Sequence, residues 1–162
     1  MAELAESLLA SGWMLRIRVF GSSMKPFLRS GSMIRIAPLS PLAGSAGFPG
    51  LASLSGPPNL GDIVLFRASG GRMVAHRVIE LDGETCRTKG DSSGEPDGLV
   101  ERRQLLGKML GIEGLFFLPL DGPVARRIGL FFNRHYPRLV RLKSALKRRL
   151  AGTASSLTGE GS

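Results

Sequence analysis

A chain of 162 residues with 43% hydrophobic content and a single cysteine has room for one domain with one core, and no disulfide framework staples it. Its formal net charge of +9 is unevenly placed: nine Lys/Arg and no Asp or Glu lie between Arg126 and Arg149, so the remainder is close to neutral. The longest apolar runs, at 115–120 and 128–132, fall far short of the ~20 residues of a spanning helix, and the first dozen residues carry two glutamates where a signal peptide carries a basic segment.

In chain order, residues 2–11 predict a short helix with Leu4, Leu8 and Leu9 on one side and Gly12 as its stop. Alternation over 13–20, with Leu15, Ile17 and Val19 opposite Arg16 and Arg18, predicts a half-buried strand. It leads straight into Gly21-Ser22-Ser23-Met24-Lys25-Pro26. A second short strand is expected at 32–36. Residues 37–60, rich in Pro, Gly, Ser and Ala without periodicity, read as a loop insertion on the rim.

The apolar run at 62–66 predicts a buried strand. Gly70-Gly71 turns it into a strand at 73–81, and Asp82-Gly83 turns that into one at 85–89. Cys86 lies in the alternation of this last strand and reads as a small packed residue, with no histidine nearby to activate it. A further strand is expected at 104–113. Many short strands with tight turns argue a mainly β core, a sheet curled into a partial barrel. The domain plan is then an N-terminal helix at 1–12, a β-rich domain at 13–122, a basic helical tail at 123–150 and a disordered terminus at 151–162.

Four residues carry the candidate chemistry. Ser23 sits in a sharp turn at a strand end, either as a turn-capping hydroxyl or as a nucleophile, which needs a neighbouring base. His76, in Ala-His-Arg-Val, is one of two histidines; a strand histidine is a structural group or a general base suited to neutral pH. Asp91 and Asp97 lie in Lys-Gly-Asp-Ser-Ser-Gly-Glu-Pro-Asp, an acidic turn or a source of the acid that orients a histidine. Arg77 points to the opposite strand face from His76. Asp62 reads as a turn residue, and His135 as surface or packing.

The ordered set Gly21–Leu28, Gly61-Asp62-Ile63-Val64, Ala75-His76-Arg77-Val78, Lys89–Asp97 and Leu106-Gly107-Lys108 resembles the type I signal peptidases, over roughly residues 13–112. In the bacterial branch of that family the base is a lysine in Lys-Arg-Val. His76 stands at that position here, so the chain is similar to the Ser–His branch of the endoplasmic reticulum, archaea and some sporulating bacteria. The resemblance implies a sheet of signal-peptidase/LexA-like type and a serine endopeptidase that cleaves a leader or precursor peptide. It selects Ser23, directly before Met24, over Ser22. It implies His76 as base, Asp97 as the acid on His76, and Asp91 as further support. It implies no metal or organic cofactor. Gly21 stands where bacterial relatives often supply an oxyanion-hole serine, which leaves that task to backbone N–H groups. LexA-like repressors pair their serine with lysine and carry a helical DNA-binding domain, for which ten helical residues are too few. The alternative from another class is a non-catalytic peptide-binding module on the same β scaffold.

The basic tail sets Leu139, Leu142, Leu146 and Leu150 at helical spacing on one face. Two readings stand side by side: a helix packed on the core, and peripheral docking to an anionic membrane through the cations between Arg126 and Arg149. Nucleic acid is not the expected partner. The partner expected otherwise is a peptide or protein substrate, and the expected location is cytoplasmic, without the family's usual membrane anchor.

Overall fold

The alternating and continuous apolar runs meet in one antiparallel sheet. The computed structural model describes residues 2–40, 56–114 and 118–156, with side chains through 145 in its last helix. Helix α1 (Ala2–Ala10) precedes β1 (Leu15–Arg18), β2 (Met33–Pro38), β3 (Ile63–Arg67), β4 (Met73–Asp82), β5 (Thr85–Lys89), β6 (Leu99–Glu101), β7 (Leu105–Glu113) and β8 (Leu118–Pro119). Helix α2 (Pro123–Ser156) closes the chain. Seven strands run in the order β1-β2-β7-β3-β4-β5-β6, and β8 pairs with β7. Register shifts at Arg35/Ile36, Leu65/Phe66 and Val78/Glu80 add local twist. The sheet accordingly curls into a half-barrel.

β3 explains its own sequence. Ile63 and Leu65 face a cluster with Leu9, Met24, Leu28, Ile34, Ile36, Met109 and Leu120, inside the curl. Val64 and Phe66 face a second cluster with Val78, Cys86, Val100 and Leu105. A strand buried on both faces needs a continuous apolar run, and this one has it. Cys86 is the packed strand residue expected from its alternation, and burial pushes its thiol up from the ordinary value.

Several boundaries differ from the sequence reading. The strand expected over 13–20 keeps only Leu15–Arg18: Val19 still gives its N–H to Ser32, its partner in register, but its carbonyl accepts from Gly31, one residue out of step, and the regular ladder ends there. β2 runs on to Pro38, and 41–55, within the expected insertion, lie outside the described residues, as do 157–162 of the terminus. β6 and β8, of three and two residues, are too short to leave a pattern. The last helix continues through Ser156, past the expected end at 150. Among the described residues, no helix is long and apolar enough to cross a membrane.

α2 is docked by its first half. Arg126 pairs with the buried carboxylate of Asp62, which is therefore an anchor as well as a turn residue. Phe132 meets Phe27 edge to face at 5.4 Å. Pro137 lies inside the helix and has no N–H to give the carbonyl of Asn133, four residues back. The Lys89 ammonium donates to that carbonyl instead, at 3.2 Å. Beyond it residues 138–145 are exposed, although the Arg141 guanidinium still reaches back to the acidic loop, where a Cβ at Gly94 would stand 2.2 Å from its Nη2.

Candidate active site

Ser23 is fixed by what lies on either side of it. Met24 and Leu28 are buried in the core, and Leu28 N–H bonds the Met24 carbonyl, a helical turn that pins the segment directly after the serine. The loop after β5 is laced to the same segment from above. Ser92 N–H donates to the Ser23 carbonyl at 2.8 Å, and the Ser92 hydroxyl to the Ser22 carbonyl at 2.7 Å. Gly90 permits this approach: a Cβ there would stand 2.8 Å from the Ser23 carbonyl oxygen and 2.9 Å from its Cβ.

His76 comes from the middle of β4, opposite Val64 of β3, and is only 9% exposed. Its Nε2 lies 2.9 Å from Ser23 Oγ, and its Nδ1 lies 2.6 Å from Asp97 Oδ2. A carboxylate only accepts, so Nδ1 carries the proton towards Asp97. The neutral ring then presents Nε2 as an acceptor for the Ser23 hydroxyl. The three residues form one directed hydrogen-bond chain: hydroxyl to imidazole to carboxylate.

Asp97 is itself positioned. Its N–H bonds the Thr88 carbonyl at 2.8 Å, and its Oδ2 accepts from the Thr88 hydroxyl at 2.7 Å. Partial burial alone would raise this carboxyl and is the largest single influence on it. The hydrogen bonds from His76 and Thr88, with the charge of His76, together outweigh burial and hold the group below its ordinary value.

Asp91 stands elsewhere, and the expectation that it orients His76 beside Asp97 is corrected. Its fully buried carboxylate takes a bidentate pair from Arg77, Nε to Oδ1 at 2.8 Å and Nη2 to Oδ2 at 2.7 Å. Asn133 of α2 donates to Oδ1 at 2.9 Å. Arg77 also reaches the Gly61 carbonyl at 2.8 Å, and its guanidinium carbon lies 5.2 Å from the centre of the Phe27 ring. Strand alternation sets the two roles: His76 faces the serine, and Arg77, on the opposite face, ties β4, the acidic loop and α2 together. Gly129 makes room, since a Cβ there would lie 2.2 Å from an Arg77 nitrogen. The pair therefore supports the loop that carries Asp97 without touching His76.

A cleft of about 730 Å³ opens beside Ser23 and His76. One wall is residues 17–24, running on from β1, and the other is 72–76 at the start of β4. Ala2 and Ala5 of α1 and the buried Leu28 and Leu65 also line it. β1 is an outer strand of the sheet. Of the lysines on these segments, Lys89 is bound to the Asn133 carbonyl of α2, and Lys25 is exposed. His135 lies tilted against Phe131, with ring centres 4.6 Å apart. Among the described residues, no three His, Cys, Asp or Glu are grouped to hold a metal ion.

Sequence reasoning missed Thr88, Gly90 and Asn133. Thr88 shows only as one more strand residue, and Gly90 and Asn133 gain their roles from contacts across 42 residues or more of chain. Compared with family models, with curated proteins and with solved structures, the chain finds no match in any of the three.

Proposed function

We propose that the protein is a serine endopeptidase similar to signal peptidase I, cleaving a leader or precursor peptide. The observation that carries this reading is the chain of bonds from Ser23 Oγ to His76 Nε2 at 2.9 Å and from His76 Nδ1 to Asp97 at 2.6 Å. A serine hydroxyl is activated by such an adjacent, oriented base. In this reading an extended peptide lies in the cleft between 17–24 and 72–76, with a scissile carbonyl over Ser23. Ser23 Oγ attacks the carbonyl carbon as its proton passes to His76 Nε2. The tetrahedral oxyanion is met by backbone N–H groups of the turn at Ser23, the position of Gly21 offering no side chain. His76 then gives its proton to the departing amine, leaving an acyl-Ser23. Water then attacks the acyl carbon as it loses a proton to the same imidazole, and the imidazolium returns that proton to Ser23 Oγ as the C–Oγ bond breaks and the acid leaves. Asp97 holds the tautomer and balances the imidazolium throughout. The curled sheet, in this proposal, is of the signal-peptidase/LexA-like type.

The competing reading, a non-catalytic peptide-binding module, uses the same cleft and outer strand β1 for strand addition. It gives no reason for an imidazole between a hydroxyl and a carboxylate. A fluorophosphonate probe, which reacts with activated serine hydroxyls, separates the two. The wild-type chain and Ser22→Ala are expected to label, and Ser23→Ala is not. A wild-type chain no more reactive than Ser23→Ala would overturn the enzymatic reading.

A further inference from the structure

Five of the six exposed large apolar residues described on α2 fall on one line, with Val140, 40% exposed, on the other side. Val124, Ile128, Phe131, Leu139 and Leu142 follow one another at steps of four, three, eight and three, with His135 in the gap, its ring against Phe131. At 3.6 residues per turn these steps keep the five and His135 within a single stripe, about 27 Å long. Each apolar member is between 47% (Ile128) and 69% (Val124) exposed. The buried residues of the helix, Gly129, Asn133 and Pro137, lie on the opposite side, against the β domain. The stripe is thus the outer face of a docked helix. This corrects the reading of Leu139 and Leu142 as a face packed on the core; the side chains of Leu146 and Leu150 lie outside the described residues.

The charges are arranged about that stripe. By helical position, Arg127, Arg134 and Arg138 run along one flank and Lys143 lies on the other, while Arg141, on the first flank, lays its guanidinium against Gly94 of the acidic loop. None of the five has an ion-pair partner among the described residues, whereas Arg126, on the buried side, pairs with Asp62. No Asp or Glu lies between 126 and 149 to offset them. A helix with an exposed apolar stripe and cationic flanks matches the boundary of an anionic bilayer, where the stripe meets acyl chains and the flanks meet headgroups. A nucleic-acid backbone would use the cations and leave the leucines in water. A second copy of the chain would set two cationic flanks against each other.

We propose that the outer face of α2 docks the protein peripherally on anionic membranes, the stripe from Val124 to Leu142 entering the interface. The full-length chain is mixed with vesicles of phosphatidylglycerol and phosphatidylcholine, or of phosphatidylcholine alone, and sedimented. Binding is expected to the anionic vesicles at ~0.01 M salt and to weaken towards ~0.15 M, as the Debye length falls from ~30 to ~8 Å. The triple substitution Phe131→Ser, Leu139→Ser, Leu142→Ser keeps every charge and is expected to weaken binding by about tenfold or more. Its thermal melt should not change, because all three positions are exposed. As an independent measure, an environment-sensitive maleimide dye is attached at Leu142→Cys. Cys86 is buried with its thiol pushed up, so the label is directed to the helix. Its emission is expected to shift to the blue on anionic vesicles only.

Undiminished vesicle binding by the triple variant, or a dye that stays in water on bound vesicles, would overturn insertion. Failure to sediment with anionic vesicles at low salt would overturn docking altogether. A DNA duplex bound equally by wild type and triple variant, with no vesicle binding, would assign the cations to nucleic acid. A dimer in solution that the triple variant loses would assign the stripe to a second copy. Loss of the folded state in that variant would return the stripe to the core. None of these outcomes depends on catalysis, since Ser23→Ala should bind vesicles as the wild type does.

Discussion

Replacing Asp97 by Asn tests the site most sharply, because the shape survives and the charge does not. The amide oxygen of the variant can still accept from His76 Nδ1 and from Thr88, so the ring keeps its place. What is lost is the attraction between carboxylate and imidazolium as the serine proton arrives. At the observed 2.6 Å, that attraction is about 6 kcal/mol at an effective dielectric of about 20 and about 1.6 kcal/mol in water. The Asp97 side chain is 31% exposed, so a value between the limits, about 4 kcal/mol, is appropriate. That corresponds to about 10³ in rate. The assay is the second-order rate of fluorophosphonate labelling, which needs no knowledge of the natural substrate. The same variant makes an acid-side prediction. The Asp97 carboxyl is held below its ordinary value, so its contribution to stability is complete above about pH 4 and is lost as pH falls through the lower folded value. The melting temperature of the wild type should therefore exceed that of Asp97→Asn near neutrality and converge on it in acid. A labelling rate for Asp97→Asn within threefold of wild type, in a folded variant, would refute the role assigned to the carboxylate.

Ser23→Ala and His76→Ala should each abolish labelling while leaving the melt nearly unchanged, and the double variant should be barely worse than either single in turnover of any peptide substrate found, because the pair acts as one unit. Asp91→Ala should behave in the opposite way. It leaves the Arg77 guanidinium buried without its carboxylate, at a cost of about 3–5 kcal/mol in urea denaturation. The folded fraction should label far faster than Asp97→Asn, and equal losses in the two variants would show that Asp91 acts on His76 after all.

Where the sequence carried a local signal, the fold was legible. β4 and β5 were read nearly to the residue from glycine turns and alternation, and the buried character of β3 from its unbroken apolar run. The end of β1 is misplaced by the sequence because the Val19 side chain continues the alternation while its carbonyl is bonded one residue out of step, by Gly31 in place of Ser32. The outward face of α2 was ambiguous for a different reason. An amphipathic pattern marks a stripe but not the side on which the domain lies, and here the packed face is the one with Gly129, Asn133 and Pro137. In the candidate site, Ser23, His76 and Asp97 were named from their motifs and meet in space. Asp91 was named with them because it shares their loop. Its own side chain turns inward, where Arg77 and Asn133 satisfy a carboxylate that has no access to water.

The contact that no sequence pattern could announce is the seat of the acidic loop on the nucleophile turn. Asp97 reaches His76 only because the chain from Gly90 to Asp97 is bonded at both ends, at Ser22 and Ser23 through Ser92 and at Thr88 through Asp97 itself. Gly90 is where the loop passes closest. A methyl group there would meet the Ser23 carbonyl oxygen at 2.8 Å and Ser93 Oγ at 2.5 Å. The hydroxyl can rotate away, but the Ser23 backbone is held by the buried side chain of Met24 and cannot. The loop must then lift, lengthening the Ser92 bonds and carrying Asp97 off the imidazole. Gly90→Ala is therefore expected to cost stability only modestly, about 1–3 kcal/mol as for other overpacked sites, while lowering the labelling rate by an amount approaching that of Asp97→Asn. The comparison is made at full folding, with the labelling rate of Gly90→Ala set beside those of Asp97→Asn and wild type. A wild-type rate in a folded Gly90→Ala chain would mean that the acidic loop is positioned from Thr88 alone, and that its seat on Ser23 does not govern the site.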